Sequence, residues 1–339
     1  MFATMAEKKT TFGLTLSNRA LVTRGTPPKD LIDMAVAAEE SGAVDAIWVG
    51  DSILSKPRLE CIPLLGAIAG RTARVKLGVA CMATIAQRHP ILLALQWASL
   101  DVLSGGRAWL AACMGYPANQ HPMAAKELEV MGVTSKERPG RMEEMIQALR
   151  LLWSEEQASF QGKYYSFDDV NLLPKPLQRP CPIYIAGTPR AAQIGEPGVE
   201  RALRRIARYA DGWMSNQIEL STFRDYKARL HDLLLEEGRD PSAFKTVLYY
   251  GVCVNDDRER AFREAKAFLD AYYQKDFTRQ GVEIWTGCGP VEHCVACVKE
   301  FIDAGVDHVA IRPIGADLNA QFQTFLEEIL PALTAAAQA

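Results

Sequence analysis

Polar side chains that can exchange protons follow two short apolar runs of the sequence. Asp51 comes directly after the run at residues 46–49, where a carboxylate can accept hydrogen bonds from a ligand. His121 comes a few residues after the run at 109–112, and its imidazole can exchange protons near neutral pH. We therefore treat both as candidate catalytic residues. The structural alternatives are a helix cap for Asp51 and an exposed loop histidine for His121.

A turn with the sequence Gly-Thr-Pro-Arg follows another apolar run and carries several anion-binding groups. It brings together the backbone N–H of Gly187, the hydroxyl of Thr188 and the guanidinium of Arg190, ahead of a helical segment. N–H groups at a helix start, together with an arginine, suit a phosphate. We predict that this turn binds phosphate, although a Gly-Thr turn is also a common structural feature.

Small side chains at two further positions would let a flat ring approach the backbone. Ala80, Cys81 and Met82 end one apolar run with small and apolar residues, which a packed layer of side chains would also favour. Gly115 lies in a turn-rich loop at residues 113–121, which supplies a hydroxyl, amides and an imidazole. Such a loop can hold the edge of a ring or a substrate.

The sequence lacks the motifs of several other catalytic classes. Its five histidines form no H-x-H and no HExxH pair, and it has neither a G-x-S-x-G elbow nor a P-loop. We therefore expect no metal site. The eight cysteines are spread through apolar segments, so we expect reduced, mostly buried thiols. The pair Cys294 and Cys297 lies within a helical pattern and is interpreted as structural.

Composition and charge indicate a globular protein that acts on small molecules. Hydrophobic residues make up 48% of the 339 residues and charged residues 23%, and the net charge is -3 with both signs interspersed. No basic stripe suits nucleic acid or an anionic membrane surface. Residues 1–10 hold no apolar run of signal-peptide type, and no stretch reaches the roughly 18 apolar residues of a membrane span. We expect a cytoplasmic protein.

Short apolar runs alternate with longer segments of helical period, a pattern typical of parallel sheets. A doubly wound fold would place G-x-G-x-x-G in its first turn, and residues 17–28 lack it. We therefore predict a single α/β domain over residues 1–339, a (β/α)8 TIM barrel with insertions at its C-terminal face, at residues 116–140 and 160–182. The predicted strands are residues 11–16, 46–49, 76–81, 109–112, 183–185, 212–214, 246–254 and 308–311.

Fragments across nearly the whole chain resemble one family, the luciferase-like flavin oxidoreductases, which contains bacterial luciferase and the F420-dependent reductases. Each fragment is weak alone, but their order makes the set specific. They are residues 48–51, 88–90, 100–107, 138–144, 210–213 and 304–309 with 312–313.

The resemblance implies a planar flavin, FMN or F420, across the barrel mouth with its ring against the third strand. Members often have a bulged or cis non-proline peptide there, and the step from Ala80 to Cys81 matches it. Two positions depart from the family: Ser52 replaces a histidine beside the strand-two acid, and Tyr116 replaces a glutamate after strand four. The expected cofactor contacts are Asp51, Ala80, Cys81, Met82, Gly115, Gly187, Thr188, Arg190, Gly212 and Trp213.

The expected function is that of an FMN-dependent monooxygenase, which uses externally reduced flavin and O2 on a small organic substrate. A flavin reductase would be its partner, and we expect a homo-oligomer. The first alternative is F420-dependent hydride transfer on the same barrel. The second is a flavin-binding protein without turnover.

Overall fold

A closed barrel of parallel strands occupies the centre of the computed structural model, which describes residues 10–338. Residues 1–9, part of the segment expected to lack a signal peptide, lie outside the described residues. Around the barrel the strand order is β1-β2-β3-β4-β7-β8-β9-β11, and β11 pairs with β1 to close it. The strands are β1 Thr11–Thr15, β2 Ala46–Val49, β3 Lys76–Met82, β4 Ala108–Ala112, β5 Ala158–Gln161, β6 Ser166–Val170, β7 Ile183–Ala186, β8 Gly212–Asn216, β9 Lys245–Val254, β10 Thr286–Gly289 and β11 His308–Pro313.

Helices surround the barrel and cover its outer face. Among residues 10–338, no helix combines the length and apolar character that crossing a membrane requires. The α-helices are α1 Ala20–Arg24, α2 Pro28–Glu40, α3 Cys61–Ala69, α4 Pro90–Leu103, α5 Pro122–Val130, α6 Arg138–Ser154, α7 Ala191–Tyr209, α8 Leu220–Glu236, α9 Arg258–Tyr273, α10 Arg279–Glu283, α11 Val291–Asp303, α12 Leu318–Thr324 and α13 Leu330–Ala336.

The predicted barrel is confirmed, and all eight predicted strands are present with small shifts at their ends. The expected long excursion contains an antiparallel hairpin, β5 with β6. The expected loop at residues 116–140 contains α5 and the start of α6. All eight cysteines are free thiols.

Strand β10 has no counterpart among the predicted strands. Its sequence, Thr-Gly-Cys-Gly, lacks the β-branched and aromatic residues that mark a strand. The ten-residue β9 pairs with β8 only along its first half, as far as Tyr249. β10 pairs with the second half, from Gly251 to Val254, and so covers backbone groups that β8 leaves unpaired there.

Aromatic rings fill the lower part of the barrel. The Trp48 ring lies 5.8 Å from Trp109 and 5.7 Å from His308, and Trp109 contacts Tyr184 at 5.7 Å. The indole Nε1 of Trp48 donates to Nε2 of His308 at 3.0 Å. Burial lowers the pKa of His308 to about 3, so this imidazole is neutral and its Nε2 can accept. A polar group is thereby satisfied inside the barrel.

Glycines in neighbouring strands leave the room that Trp48 occupies. A Cβ atom at Gly78 on β3 would lie 2.2 Å from Cε3 of Trp48, and one at Gly13 on β1 would lie 2.8 Å from its Nε1. Trp48 is itself fully buried, so its ring cannot move into solvent. The depth at which β2 sits in the barrel is therefore set by this one side chain.

We predict that Gly78→Ala lowers the free energy of unfolding by about 1–3 kcal/mol, because the added methyl overpacks the barrel against Trp48. Chemical denaturation measures the change. Gly66→Ala on α3 is the matched control: no atom lies within 4 Å of its added Cβ. We expect it to be neutral or stabilising by up to about 1 kcal/mol. Equal stability of the two variants would contradict the packing argument.

Candidate functional site

A cavity of about 260 Å³ opens at the carboxyl ends of the barrel strands. Active sites of this architecture lie at that end, where loops from several strands meet. Residues from seven barrel strands and their tails line it, all but β1, and the last turn of α9 closes one side. Cavity-lining residues from the strand tails include Gly50, Asp51, Ala80, Cys81, Gly115, Gly187 and Thr188.

A second, more open cavity of about 840 Å³ lies beside the first. The two share five lining residues: Thr188, Arg190, Gln217, Lys275 and Phe277. We call them the inner and the outer cavity. The two cavities therefore adjoin at these side chains, and the turn after β7 lies at the junction.

The groups of the turn after β7 that were predicted to bind phosphate make hydrogen bonds within the protein. Gly187 has a φ of 141°, and a Cβ atom there would have no neighbour within 4 Å, but its N–H donates to the Met214 carbonyl at 2.9 Å. The Thr188 hydroxyl donates to the Asn216 carbonyl at 2.6 Å. Arg190 donates to the backbone and side-chain oxygens of Gln217 at 3.0 and 2.8 Å. The tail of β8 thus holds this turn in place.

The peptide bond from Ala80 to Cys81 is cis, and the register between β3 and β4 shifts there. The sequence resemblance predicts this step. Cys113 has a lowered pKa of about 7, because a hydrogen bond with Cys81 outweighs the effect of burial. The N–H of Gly115, 3.3 Å from the Cys113 sulfur, lowers the pKa further. The inner cavity therefore has two thiols beside its smallest side chains.

Asp51 lines the inner cavity, but its carboxylate is engaged in structural hydrogen bonds. Oδ2 accepts from the backbone N–H and the hydroxyl of Thr84 at 2.9 and 2.6 Å. Oδ1 accepts from Arg88 at 2.9 Å, and the same Arg88 nitrogen donates to Glu60 at 2.8 Å. The Asp51 side chain is 1% exposed. These contacts tie the tail of β2 to the start of α4.

Ser52 turns away from the inner cavity. Its hydroxyl lies 3.2 Å from Oε2 of Glu127 on α5, and that oxygen also accepts the backbone N–H groups of Leu54 and Ser55 at 2.6 and 2.8 Å. Burial opposes ionisation of Glu127, but these hydrogen bonds outweigh it and lower its pKa. A buried carboxylate thus shapes the loop after β2, and Ser52 belongs to that loop.

His121 caps a helix. Its Nδ1 accepts from the backbone N–H of Ala124 at 3.2 Å at the start of α5, and its ring meets Tyr116 edge-on at 5.4 Å. Burial, with Lys56 and Arg19 nearby, lowers its pKa. His121 is buried, so the alternative of an exposed loop histidine is wrong. It is not among the residues that line the inner cavity. Its catalytic role stays a prediction.

Three other predicted cofactor contacts lie behind the cavity wall. Met82 is fully buried in the outer core, and Gly212 packs against the Tyr184 ring, where a Cβ would come within 2.6 Å. Trp213 is fully buried and donates to the Gly187 carbonyl at 2.8 Å. Trp213 therefore supports the turn after β7 from behind. The structure does not bring these three residues to either cavity.

A cluster of cations and tyrosines that the sequence reasoning missed forms one wall of the inner cavity. Arg58 and Arg312 both donate to the Tyr272 hydroxyl, at 2.8 and 3.0 Å. Lys56 lies over the Tyr273 ring at 5.0 Å. Arg312 could have been found by period-two counting, because it shares a strand face with His308. Lys56, Arg58 and Tyr272 lie in a loop and at a helix end, where no strand periodicity marks them.

Asp51→Asn tests whether the carboxylate is structural. Loss of its charge weakens the buried pair with Arg88, so we expect the free energy of unfolding to fall by about 1–3 kcal/mol, measured by denaturation. The matched control is Asp303→Asn, which breaks a surface pair with Lys299 and should change stability by less than about 1 kcal/mol. Lost activity with an unchanged melting temperature would instead indicate a ligand contact.

Curated relatives are similar to this chain along most of its length. A curated relative from Amycolatopsis mediterranei (strain U-32), described as an F420-dependent glucose-6-phosphate dehydrogenase, is 27% identical over 340 residues, covering 91% of this chain and 95% of the relative. A protein of the same description from Nakamurella multipartita is 28% identical over 334 residues, covering 91% and 93%. Both alignments span nearly the whole of each chain.

Solved structures share the fold at lower identity. An F420-dependent secondary alcohol dehydrogenase in complex with an F420-acetone adduct superposes with a TM-score of 0.78 at 20% identity, covering 96% of this chain and 99% of that one. The monooxygenase RslO1 from Streptomyces bottropensis gives a TM-score of 0.75 at 20% identity, covering 95% and 99%. The family profile described as luciferase-like monooxygenase matches residues 10–308. The chain therefore belongs to the luciferase-like monooxygenase family of oxidoreductases.

Proposed function

We propose that this protein is an F420-dependent oxidoreductase that transfers a hydride between the deazaflavin and a small organic alcohol or its carbonyl product. The observation that carries the proposal is the charge of the inner cavity. Its cationic lining residues are Lys56, Arg58, Arg190, Lys275 and Arg312. The carboxylate in the same lining, Asp51, is paired with Arg88. The cavity therefore presents an excess of positive charge to a ligand.

The expectation of an FMN-dependent monooxygenase is wrong. The curated relatives that align over nine-tenths of the chain are F420-dependent glucose-6-phosphate dehydrogenases. Structural neighbours at lower identity include both F420-dependent enzymes and monooxygenases, so they show the barrel and do not decide between the cofactors. Hydride transfer needs no O2, and no flavin reductase is required as a partner. The homo-oligomer stays a prediction.

The inner cavity suits the shape and charge of F420. The outer cavity offers further room, and its lining mixes the cations Arg190, Arg229 and Lys275 with the carboxylates Glu196, Glu219, Asp225 and Asp276. The flat ring system of F420 requires small neighbours, and Ala80 and Gly115 provide them in the inner cavity. Its anionic tail is longer than that of FMN, and the outer cavity extends the site past the turn of Gly187 and Thr188. Buried guanidinium nitrogens of Arg58 and Arg312 have no hydrogen-bond partner among the described residues, as expected for donors that face an anion.

The residues of the chain then have distinct tasks. When bound, the deazaflavin supplies the hydride-transfer chemistry. Ala80 and Cys81 bound the space for its ring, and the turn at residues 187–190 holds its phosphate. The tyrosine and arginine cluster at Tyr272 faces the reacting end of the cavity. The substrate lies between that cluster and the ring, where the closed barrel excludes bulk water.

Cofactor choice can be tested directly by titrating the protein with F420 and with FMN. We expect F420 to bind more tightly and to lose its visible absorbance under anaerobic conditions when an alcohol is oxidised. Glucose 6-phosphate and 2-propanol are the first alcohols to try, since the relatives and one structural neighbour act on such groups. Tight binding of reduced FMN with substrate-dependent O2 consumption, and no F420 turnover, would overturn the proposal.

Arg190→Ala tests the phosphate-binding turn. Loss of a charge-assisted hydrogen bond should weaken F420 binding by about 1.5–3 kcal/mol, measured as the change in Kd by fluorescence titration. Arg204→Ala is the control, because this arginine lies on α7 in exposed pairs with Glu200 and Glu236. We expect its Kd to equal that of the unmodified protein. If both variants bind F420 equally well, Arg190 has no part in holding the phosphate.

A further inference from the structure

We propose that Tyr272 is the catalytic acid-base residue of this site: its phenolate oxygen accepts the hydroxyl proton of the alcohol substrate, and its phenol returns that proton in the reverse direction. The inference rests on the proposed hydride transfer. It assigns the proton transfer to a tyrosine at the end of α9, a position that no sequence motif marks.

The position of the Tyr272 hydroxyl carries the first part of the argument. Tyr272 lines the inner cavity, and its oxygen accepts from Arg58 at 2.8 Å and from Arg312 at 3.0 Å. It also lies above the tail of β2, because a Cβ atom at Gly50 would come within 3.3 Å of it. The glycine leaves open the space in which these groups meet. A phenol whose oxygen receives two charged donors is arranged to ionise.

The rings around Tyr272 hold it in this orientation. Phe268, one turn earlier on α9, stacks on it at 5.7 Å with an interplanar angle of 15°. The guanidinium of Arg312 lies 4.3 Å from the Tyr272 ring centre. Arg19 donates to the Tyr272 backbone carbonyl. The side chain and its backbone are therefore fixed from three elements, which suits a residue that must meet a substrate in one geometry.

Charged groups face Tyr272 from every element packed against it, and most are cations. Burial alone would keep the phenol neutral, but Arg312, Arg58 and Lys56 outweigh burial and lower its pKa to about 7. Arg19 adds a fourth positive charge 5.6 Å from the ring. The titratable neighbours Tyr249, Tyr273 and Cys81 all have raised pKa values and stay neutral. The carboxylate in the cavity lining, Asp51, is engaged by Thr84 and Arg88.

Other groups near the cavity are placed less well for this task. Ser52 turns to Glu127, and His121 caps α5. Burial raises the pKa of Tyr116, which follows β4. The Cys113 thiol has a lowered pKa, but its sulfur is already engaged by a hydrogen bond with Cys81 and by the Gly115 N–H. Tyr272 thus combines a place in the lining of the inner cavity with a cationic environment that favours ionisation.

The proton and electron balance is simple. In the oxidation direction the O–H bond of the alcohol breaks, its proton goes to the Tyr272 oxygen, and its electron pair forms the C=O bond. The neighbouring C–H bond breaks at the same time, and its hydride goes to the oxidised deazaflavin. Arg58 and Arg312 stabilise the phenolate before the transfer.

The first test uses the protein without cofactor and follows tyrosinate by its near-ultraviolet difference absorbance as pH rises. We expect one of the ten tyrosines to ionise near neutral pH, with the others ionising well above it. Tyr272→Phe should abolish this early ionisation while keeping the ring that stacks on Phe268. Tyr273→Phe, the matched neighbour, should retain it. Absence of the early ionisation in the unmodified protein overturns the proposal, whatever the turnover.

The second test is the pH profile of F420 reduction with 2-propanol or glucose 6-phosphate, whichever the unmodified protein oxidises. Its kcat/KM should fall as pH drops below the tyrosine midpoint. Tyr272→Phe should reduce kcat by about 10²–10⁴-fold and lose this acidic limb, while F420 affinity stays similar. A variant that retains both the rate and the limb overturns the proposal. If neither alcohol is oxidised although the tyrosine ionises early, the failure lies with the proposed function.

Arg58→Gln tests the role of Tyr272 even where the Tyr272→Phe variant does not fold. Removal of one cationic donor should move the tyrosine midpoint and the kinetic limb upward by the same amount. A limb that shifts while the tyrosine midpoint does not would assign the kinetic ionisation to another group, such as the Cys113 thiol, and would overturn the role of Tyr272.

Discussion

The hydrogen bond between Trp48 and His308 fixes the barrel on which the site depends. It joins β2 to β11, the two strands that flank β1, inside the barrel. It requires a neutral imidazole and empty space beside Gly13 and Gly78. Inward positions on a strand alternate, so the depth of Trp48 also sets that of Gly50 two residues later. The same counting on β11 leads from His308 to Arg312. The packing of the barrel interior therefore decides where the groups of the inner cavity stand.

The acidic and the basic side chains at the barrel mouth have different kinds of partner. Asp51 and Glu60 form ion pairs with Arg88, and Glu127 accepts hydrogen bonds from backbone N–H groups of the loop after β2. Arg58 and Arg312 consequently have no carboxylate partner among the hydrogen bonds and ion pairs of the described residues that involve them. A buried guanidinium without a counter-ion is costly, and here the phenol of Tyr272 and an anionic ligand are the groups available to offset that cost. The acids organise the loops, and the cations are left for the proposed ligand and for Tyr272.

Much of the fold followed from the sequence because strands of a parallel barrel carry strong local signals. The run at residues 246–254, for example, is rich in β-branched and aromatic residues and became β9 within one residue. β10 could not be predicted, since its pairing comes from the length of β9 and not from its own residues. At the site, the turn at Gly187 was predicted, and the step from Ala80 to Cys81 was matched to the family's bulged or cis peptide, although the sequence does not determine which of the two it is. Trp213 was misjudged because a strand-tail sequence does not show which side of the barrel wall a ring occupies.

The departures from the family pattern gain a physical meaning in the structure. Where a histidine would follow the strand-two acid, Ser52 joins the Glu127 network and leaves the barrel mouth without an imidazole. The space above Gly50 is filled from the opposite side by the Arg58 guanidinium and the Tyr272 hydroxyl. A helix end, rather than a strand tail, then supplies the ionisable oxygen. Because the barrel holds both at the same mouth, a helix end can take over the proposed proton transfer while the turn after β7, the predicted phosphate site, stays in place.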